Sequence, residues 1–126
     1  VLTACEGYAQ RHGGSFRISN DMHEAMEGAH VVYPKAWCAT PIFQPPIGQS
    51  DPKKTQEIFD RNKDWICNAD LMRVAHRDAI YMHCLPCDRG FEVTDDVIDG
   101  PQAAAFDEAE NRLHVQKAVM SLVMGR

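Results

Sequence analysis

Short apolar runs that alternate with helical segments are the feature that most constrains the fold of this chain. Residues 30–33 and 79–82 have the length and composition of buried strands. Pro34 closes the first run and Pro86 follows the second, and proline cannot continue a hydrogen-bonded ladder. A helix over residues 1–12, a strand over 15–19 and a helix over 22–27 are predicted before the first run, so the order up to residue 33 is α, β, α, β. That order predicts right-handed crossovers and an α/β fold with a parallel sheet.

Helix signals and two further strand signals complete this prediction. Glycines, caps and apolar spacing predict helices over residues 1–12, 22–27, 53–62, 71–76, 95–98 and 109–124. The alternating stretch 15–19 and the apolar stretch 103–106 are predicted to be strands. The last helix has an apolar face larger than a surface helix needs, which predicts association with something else.

The best site candidate is the loop that follows residues 79–82. His83, Cys84 and Leu85 should lie at the carboxyl end of that strand. In parallel α/β sheets, ligands bind just outside this end because the loops there line a crevice. We therefore expect these three residues to be part of a binding site.

A second candidate lies where residues 103–106 meet acidic residues and the last helix. Arg112 is predicted to stand in the first turns of that helix, where the macrodipole already carries partial positive charge. A bound anion would compensate for this arrangement. The simpler interpretation is an ion pair between Arg112 and Glu108 or Glu110.

The segment from Lys35 to Pro52 is rich in proline and glycine and also carries aromatic residues such as Trp37. Loops of this length are usually functional or disordered, and the aromatic residues argue against disorder. Because the segment follows a strand, it should also overhang the crevice.

Two motifs give the chain a specific resemblance. His-Cys-Leu-Pro at residues 83–86 and Asp-Glu-Ala-Glu-Asn-Arg at residues 107–112 resemble the hallmarks of the carbamoyltransferase family, in the same order and at about the same spacing. The resemblance implies a Rossmann-like fold and transfer of a carbamoyl group from carbamoyl phosphate to the amine of an ornithine-like amino acid. It also implies a homo-oligomer, which in the family is a trimer, and no cofactor or metal.

The segment Tyr-Pro-Lys-Ala-Trp at residues 33–37 is most similar to the N-acetylornithine and YgeW-like branch, in which a loop is threaded through the fold as a knot. Ordinary ornithine enzymes carry Ser-Met-Gly in this loop. By this resemblance residues 1–108 belong to the amino-acid-binding domain, and residues 109–126 form a terminal helix that packs on a carbamoyl-phosphate domain. The chain lacks an initiator Met and the family's phosphate-binding segment, so it is predicted to be a fragment that is inactive alone.

The resemblance also implies roles for individual residues. His83, Cys84, Leu85 and Arg112 would be catalytic and contact the carbamoyl group and its phosphate. The acceptor amino acid would be bound by Lys35, Trp37, Asp88, Arg89 and Glu92. Asp88 stands where the acetylornithine enzymes have an arginine, and Glu92 stands where some of them carry a modified lysine that bears a carboxylate.

Composition excludes several classes of function. The net charge of −5 and the scattered basic residues argue against a nucleic-acid partner, and no apolar stretch reaches the roughly 18 to 20 residues that span a bilayer. The five cysteines are odd in number, which favours a reducing cytoplasm over a disulfide framework.

Two alternatives from other classes remain open. Cys84 and Cys87 could hold zinc with His76 and His83 as further ligands. The other alternative is a non-catalytic module that keeps the fold and recognises a small amino acid or a protein. Cys84 could also be an ordinary buried thiol at a strand end, and Lys35 a solvated cation.

Overall fold

The computed structural model describes residues 1–35 and 51–125 and contains six helices and two short strands in those ranges. The elements in chain order are α1 (Leu2–Arg11), α2 (Met22–Met26), β1 (Val31–Val32), α3 (Pro52–Arg61), α4 (Ala69–Val74), β2 (Ile80–Tyr81), α5 (Asp95–Ile98) and α6 (Ala105–Met124). The predicted helices are therefore all present. Trp37 and most of the predicted loop 35–52 lie outside the described residues.

The two strands form the parallel pair that the sequence predicts. Val31 is opposite Ile80 and Val32 is opposite Tyr81. A single bridge joins Tyr81 to Ala103 on the other side of β2. The connection from β1 to β2 contains α3 and α4, as a parallel pair requires. This small sheet places the ends of β1 and β2 side by side.

Local signals explain where the helices begin and end. The Asp21 side chain accepts a hydrogen bond from the amide of Glu24 at the start of α2, and Asn68 accepts one from the amide of Leu71 at the start of α4. Gly28 ends α2 with a φ of 67°, in the left-handed region that glycine adopts without strain. The two helices pack against each other and contribute Met26, Leu71 and Met72 to the core.

The core lies where α2, α4 and α5 meet the sheet. Tyr81 and Ala79 from the β2 segment and Val93 and Ile98 from the α5 segment are almost completely buried. The remaining apolar core residues are Met26, Val32, Cys67, Leu71, Met72, Ala75, Val97 and Ala105. The core therefore lies behind the ends of β1 and β2, and most residues of the loops that follow these strands are at the surface.

The strand predicted over residues 15–19 is wrong. The chain there has no strand assignment, and Phe16 and Ile18 remain 39% and 61% exposed. Alternation of polar and apolar residues stabilises a strand only when one face is buried and a neighbour supplies the ladder. Arg17 instead pairs with Glu24 at 3.0 Å, which joins this segment to α2.

The strand predicted over residues 103–106 is also wrong. After the single bridge at Ala103, the helix begins at Ala105, four residues earlier than predicted. The amide of Ala104 donates to the carbonyl oxygen of Tyr81 at 2.8 Å, so the chain turns directly from the sheet into α6. Arg112 consequently lies about two turns inside the helix, where the macrodipole effect has faded, and the predicted electrostatic mismatch at the helix start does not occur.

The long helix α6 is exposed over most of its length. Ala105 is its one buried residue, and its large apolar side chains Phe106, Leu113, Val115, Val119, Met120, Leu122, Val123 and Met124 are each more than half exposed. No helix in the described ranges is long and apolar enough to cross a membrane.

Candidate active site

Three segments meet at the carboxyl edge of the sheet. Tyr33 follows β1, the loop of residues 83–89 follows β2, and the first turns of α6 follow the bridge at Ala103. A hydrogen bond between Tyr33 and Glu108 joins the first segment to the third. The predicted site loop and Arg112 therefore belong to one edge of the domain.

His83 is buried and acts as the internal support of its loop. Only 1% of its surface is exposed, and its Nδ1 accepts a hydrogen bond from the amide of Leu85 at 3.0 Å. This hydrogen bond requires Nδ1 to be the acceptor, which corresponds to the tautomer with its proton on Nε2. Leu85 has a φ of 47° and is joined to Pro86 by a cis peptide bond, so the chain turns sharply at this point.

Glu92 lies behind the same loop and is only 3% exposed. Its Oε1 accepts a hydrogen bond from the amide of Asp88 at 2.8 Å and lies 3.4 Å from Nε2 of His83. The contact to His83 is a close approach and does not have the geometry of a hydrogen bond. One carboxylate therefore supports both the beginning and the end of the loop, and it faces the protein interior.

Cys84 points outward from this support. It is exposed, so the interpretation as a buried strand-end thiol is wrong. Cys87 is partly buried, and burial is the main reason that the pKa of its thiol is raised. The two cysteines of the motif thus differ, and the exposed one is on the side where a ligand could approach.

Tyr33 and Glu108 form a short polar contact between the end of β1 and α6. The hydroxyl of Tyr33 donates to Oε1 of Glu108 over 2.6 Å. This bond raises the pKa of Tyr33 to about 12, with smaller contributions from burial, the charge of Glu108 and neighbouring Cys84. Neither residue is among the site residues predicted from the sequence. The position of Tyr33 at a strand end and of Glu108 inside the Glu-Asn-Arg motif was the available signal.

Arg112 is exposed and lines an open pocket of about 280 Å³ on α6. The pocket is also lined by Glu108, Asn111, Val115 and Gln116. Glu108 is bound by Tyr33, so the predicted ion pair with Arg112 is not the contact that this carboxylate makes. The guanidinium is therefore placed where an anion could reach it.

Arg89 connects the loop of residues 83–89 to α5 through two carboxylates. Its guanidinium contacts Asp99 at 2.5 and 2.8 Å and Asp95 at 2.7 Å. The hydrogen bonds from Arg89 lower the pKa of the Asp99 carboxyl. The neighbouring Asp88 and, after β1, Lys35 are both exposed.

The metal interpretation has no support in the described part of the chain. Cys84 and Cys87 are free thiols, and His76 stacks on His30 with ring centroids 4.2 Å apart. No three metal-binding side chains come together within residues 1–35 and 51–125.

Comparison with known proteins gives this edge a family context. The family described as the Asp/Orn-binding domain of aspartate/ornithine carbamoyltransferase matches residues 1–123. The chain belongs to this carbamoyltransferase family. The family match includes all the site candidates and confirms the resemblance at the level of the family.

Relatives and solved structures agree with this assignment. The chain is 44% identical to an ornithine carbamoyltransferase of Thermococcus kodakarensis, over 99% of this chain and 37% of the relative. It superposes on the ornithine carbamoyltransferase of Pyrococcus furiosus with a TM-score of 0.81 at 40% identity, covering 98% of this chain and 37% of that one. An N-acetyl-L-ornithine transcarbamylase matches with a TM-score of 0.79 at 36% identity, over 97% of this chain and 35% of that one.

These matches confirm the predicted α/β fold with its parallel sheet. The chain spans only about a third of the length of the carbamoyltransferases that it matches. The chain therefore corresponds to the Asp/Orn-binding domain of the family and not to its whole length.

Proposed function

We propose that this chain supplies the amino-acid-binding half of a carbamoyltransferase active site. The reaction would transfer the carbamoyl group of carbamoyl phosphate to the amine of an ornithine-like amino acid and release phosphate. The observation that carries the proposal is that the outward-facing Cys84 and the exposed Arg112 occur at one sheet edge, within the motifs of the matched family.

The chemistry needs positive charge and hydrogen-bond donors at the carbamoyl oxygen. Attack of the amine on the carbamoyl carbon builds negative charge on this oxygen, and Arg112 with the Cys84 region would stabilise it. The backbone carbonyl of Leu85 would orient the attacking amine and accept a share of its proton. His83 would hold Leu85 in place through the bond to its Nδ1.

The acceptor amino acid would be bound by residues on the β1 side and in the loop. Lys35 would bind its carboxylate, with Trp37 and Asp88 beside it. Glu92 would supply negative charge from behind the loop, where it is buried. Arg89 would contribute through its contacts with α5, because its guanidinium is already occupied by Asp95 and Asp99.

Lys35 also supports a proposal about the branch of the family. A Lys-Ala-Trp segment in place of Ser-Met-Gly favours the knotted N-acetylornithine and YgeW-like branch, and the match to an N-acetyl-L-ornithine transcarbamylase structure is in keeping with it. Asp88 in place of an arginine favours an acceptor other than N-acetylornithine itself.

The same family context gives proposals about organisation. Residues 1–108 would form the amino-acid-binding domain, and residues 109–126 would pack on a carbamoyl-phosphate domain, which would cover the exposed apolar side chains of α6. The working enzyme would be a cytoplasmic homo-oligomer. The 126-residue chain alone would be inactive because it holds only half of the site.

The test is phosphate release and ureido-product formation from carbamoyl phosphate, measured with ornithine, N-acylated ornithines and other diamines. It should be run on the full-length protein that contains this chain and on the 126-residue chain. We expect turnover with one acceptor in the first case and none in the second. Arg112→Gln should abolish turnover, whereas Arg77→Gln, a surface control near β2, should not. Amino-acid binding without turnover in the full-length protein would contradict the proposal and favour the non-catalytic module.

A further inference from the structure

The hydrogen bond between Tyr33 and Glu108 connects two parts of the chain that are 75 residues apart. It joins the end of β1 to the first turn of α6, a helix that buries only Ala105. Oε2 of Glu108 is itself buried and has no hydrogen-bond partner among the described residues. The Tyr33 hydroxyl is therefore the donor that holds this carboxylate in its place.

Glu108 and Arg112 are four residues apart in the same helix, so their side chains lie one above the other on one face. Both line the same open pocket. A change in the direction of the first turn of α6 would therefore move the guanidinium of Arg112. On the other side of the contact, Cys84 is close enough to Tyr33 to affect its ionisation.

We propose that Tyr33 is a positioning residue, which acts through Glu108 to hold Arg112 at a constant position relative to Cys84. This inference rests on the proposed carbamoyl transfer. Tyr33 does not need to touch the substrate in this role. Its loss would weaken the binding of carbamoyl phosphate, which Arg112 would contact in the proposed reaction, more than the binding of the amine.

The test compares Tyr33→Phe with Tyr8→Phe in the full-length protein that contains this chain. Tyr8 is a matched control, because it is 61% exposed on α1 and its ring contacts only Arg11 among the aromatic and cation contacts described. We expect Tyr33→Phe to lower kcat/KM for carbamoyl phosphate about tenfold, because loss of one hydrogen bond to a charged group has about this effect. The KM for carbamoyl phosphate should rise, and the KM for the amine should stay within about twofold.

Glu108 variants distinguish positioning from a general loss of structure. Glu108→Gln keeps an acceptor oxygen for Tyr33 and should retain most of the activity. Glu108→Ala should match Tyr33→Phe, and the double variant Tyr33→Phe/Glu108→Ala should be no worse than either, because both remove the same bond. Equal KM changes for both substrates, additive losses, or a Tyr33→Phe enzyme equal to the Tyr8→Phe control would overturn the inference.

Amide hydrogen exchange of residues 105–112 gives a second readout that does not need turnover. Faster exchange in Tyr33→Phe than in Tyr8→Phe would support the coupling, and equal exchange would refute it. If the wild-type full-length protein fails to turn over, the proposed function is wrong, and this exchange measurement still decides whether Tyr33 holds the first turns of α6.

Discussion

Replacement of Glu92 by glutamine and by alanine tests how the site loop is held. Both substitutions remove the negative charge, so the difference between them isolates the acceptor oxygen. Glutamine can still accept the hydrogen bond from the amide of Asp88, which Oε1 accepts at 2.8 Å, and can still face Nε2 of His83. Alanine leaves the amide of Asp88 without this acceptor and leaves a cavity beside His83, because the Glu92 side chain is only 3% exposed.

The expected size of the difference follows from these contacts. Removal of the acceptor leaves the amide donor of Asp88 without a partner, which costs about 1 to 3 kcal/mol. The small cavity left by alanine adds about 1 kcal/mol. We therefore expect Glu92→Ala to be less stable than Glu92→Gln by about 3 kcal/mol. Glu92→Gln should stay within about 1 kcal/mol of the wild type, because relief of the buried charge offsets the weaker hydrogen bond.

The assay is urea unfolding of the chain followed by far-ultraviolet circular dichroism, with the free energy of unfolding taken by linear extrapolation. Gln56→Ala on the exposed face of α3 is a control for the loss of a surface amide. If the glutamine and alanine variants are both within about 1 kcal/mol of the wild type, the acceptor oxygen does not hold the loop. If both variants are destabilised by the same larger amount, the negative charge of Glu92 and not its acceptor oxygen stabilises the loop.

Three further outcomes follow from the structure. The tyrosinate absorbance of the wild type minus that of Tyr33→Phe should rise near pH 12, because the bond to Glu108 raises the pKa of Tyr33 from 10.0 to about 12. The stability that this bond contributes should be fully present below the unfolded pKa of 10.0 and should be lost as pH rises through about 12. An absorbance rise near pH 10 would argue against the bond. Arg89→Gln should lower the unfolding midpoint at neutral pH, whereas the two proteins should converge as pH falls through the lowered pKa of Asp99, whose ordinary value is 3.8; a gap that stays constant with pH would contradict the pairing. The exposed apolar side chains of α6 should make the isolated chain associate or bind an apolar dye, and Leu122→Lys with Val119→Lys should reduce this; a monomeric wild type without dye binding would refute the expectation.

Most helices could be predicted because their signals are local. Asp21 and Asn68 cap their helices with hydrogen bonds to residues three positions away, and such contacts are visible in the sequence pattern. The loop after β2 was also predictable, since a short apolar run followed by polar residues and proline indicates a strand end. The motif residues made the family recognisable without knowledge of their contacts.

The errors occurred where a neighbouring element decides the outcome. Residues 15–19 alternate like a strand, but no neighbour in the described chain supplies a ladder, so Phe16 and Ile18 remain exposed. Residues 103–106 are apolar like a strand, but a single bridge at Ala103 leads directly into α6. Propensity for a strand depends on context more strongly than propensity for a helix.

The sequence by itself determined which segments are helical, the parallel order of the two strands and the two motifs that identify the family. Only the tertiary structure decided that His83 faces Glu92, that Cys84 is exposed, and that Tyr33 bonds to Glu108. The first set depends on residues a few positions apart. The second depends on where separate elements come to lie after packing, and the 75 residues between Tyr33 and Glu108 carry no local signal of that contact.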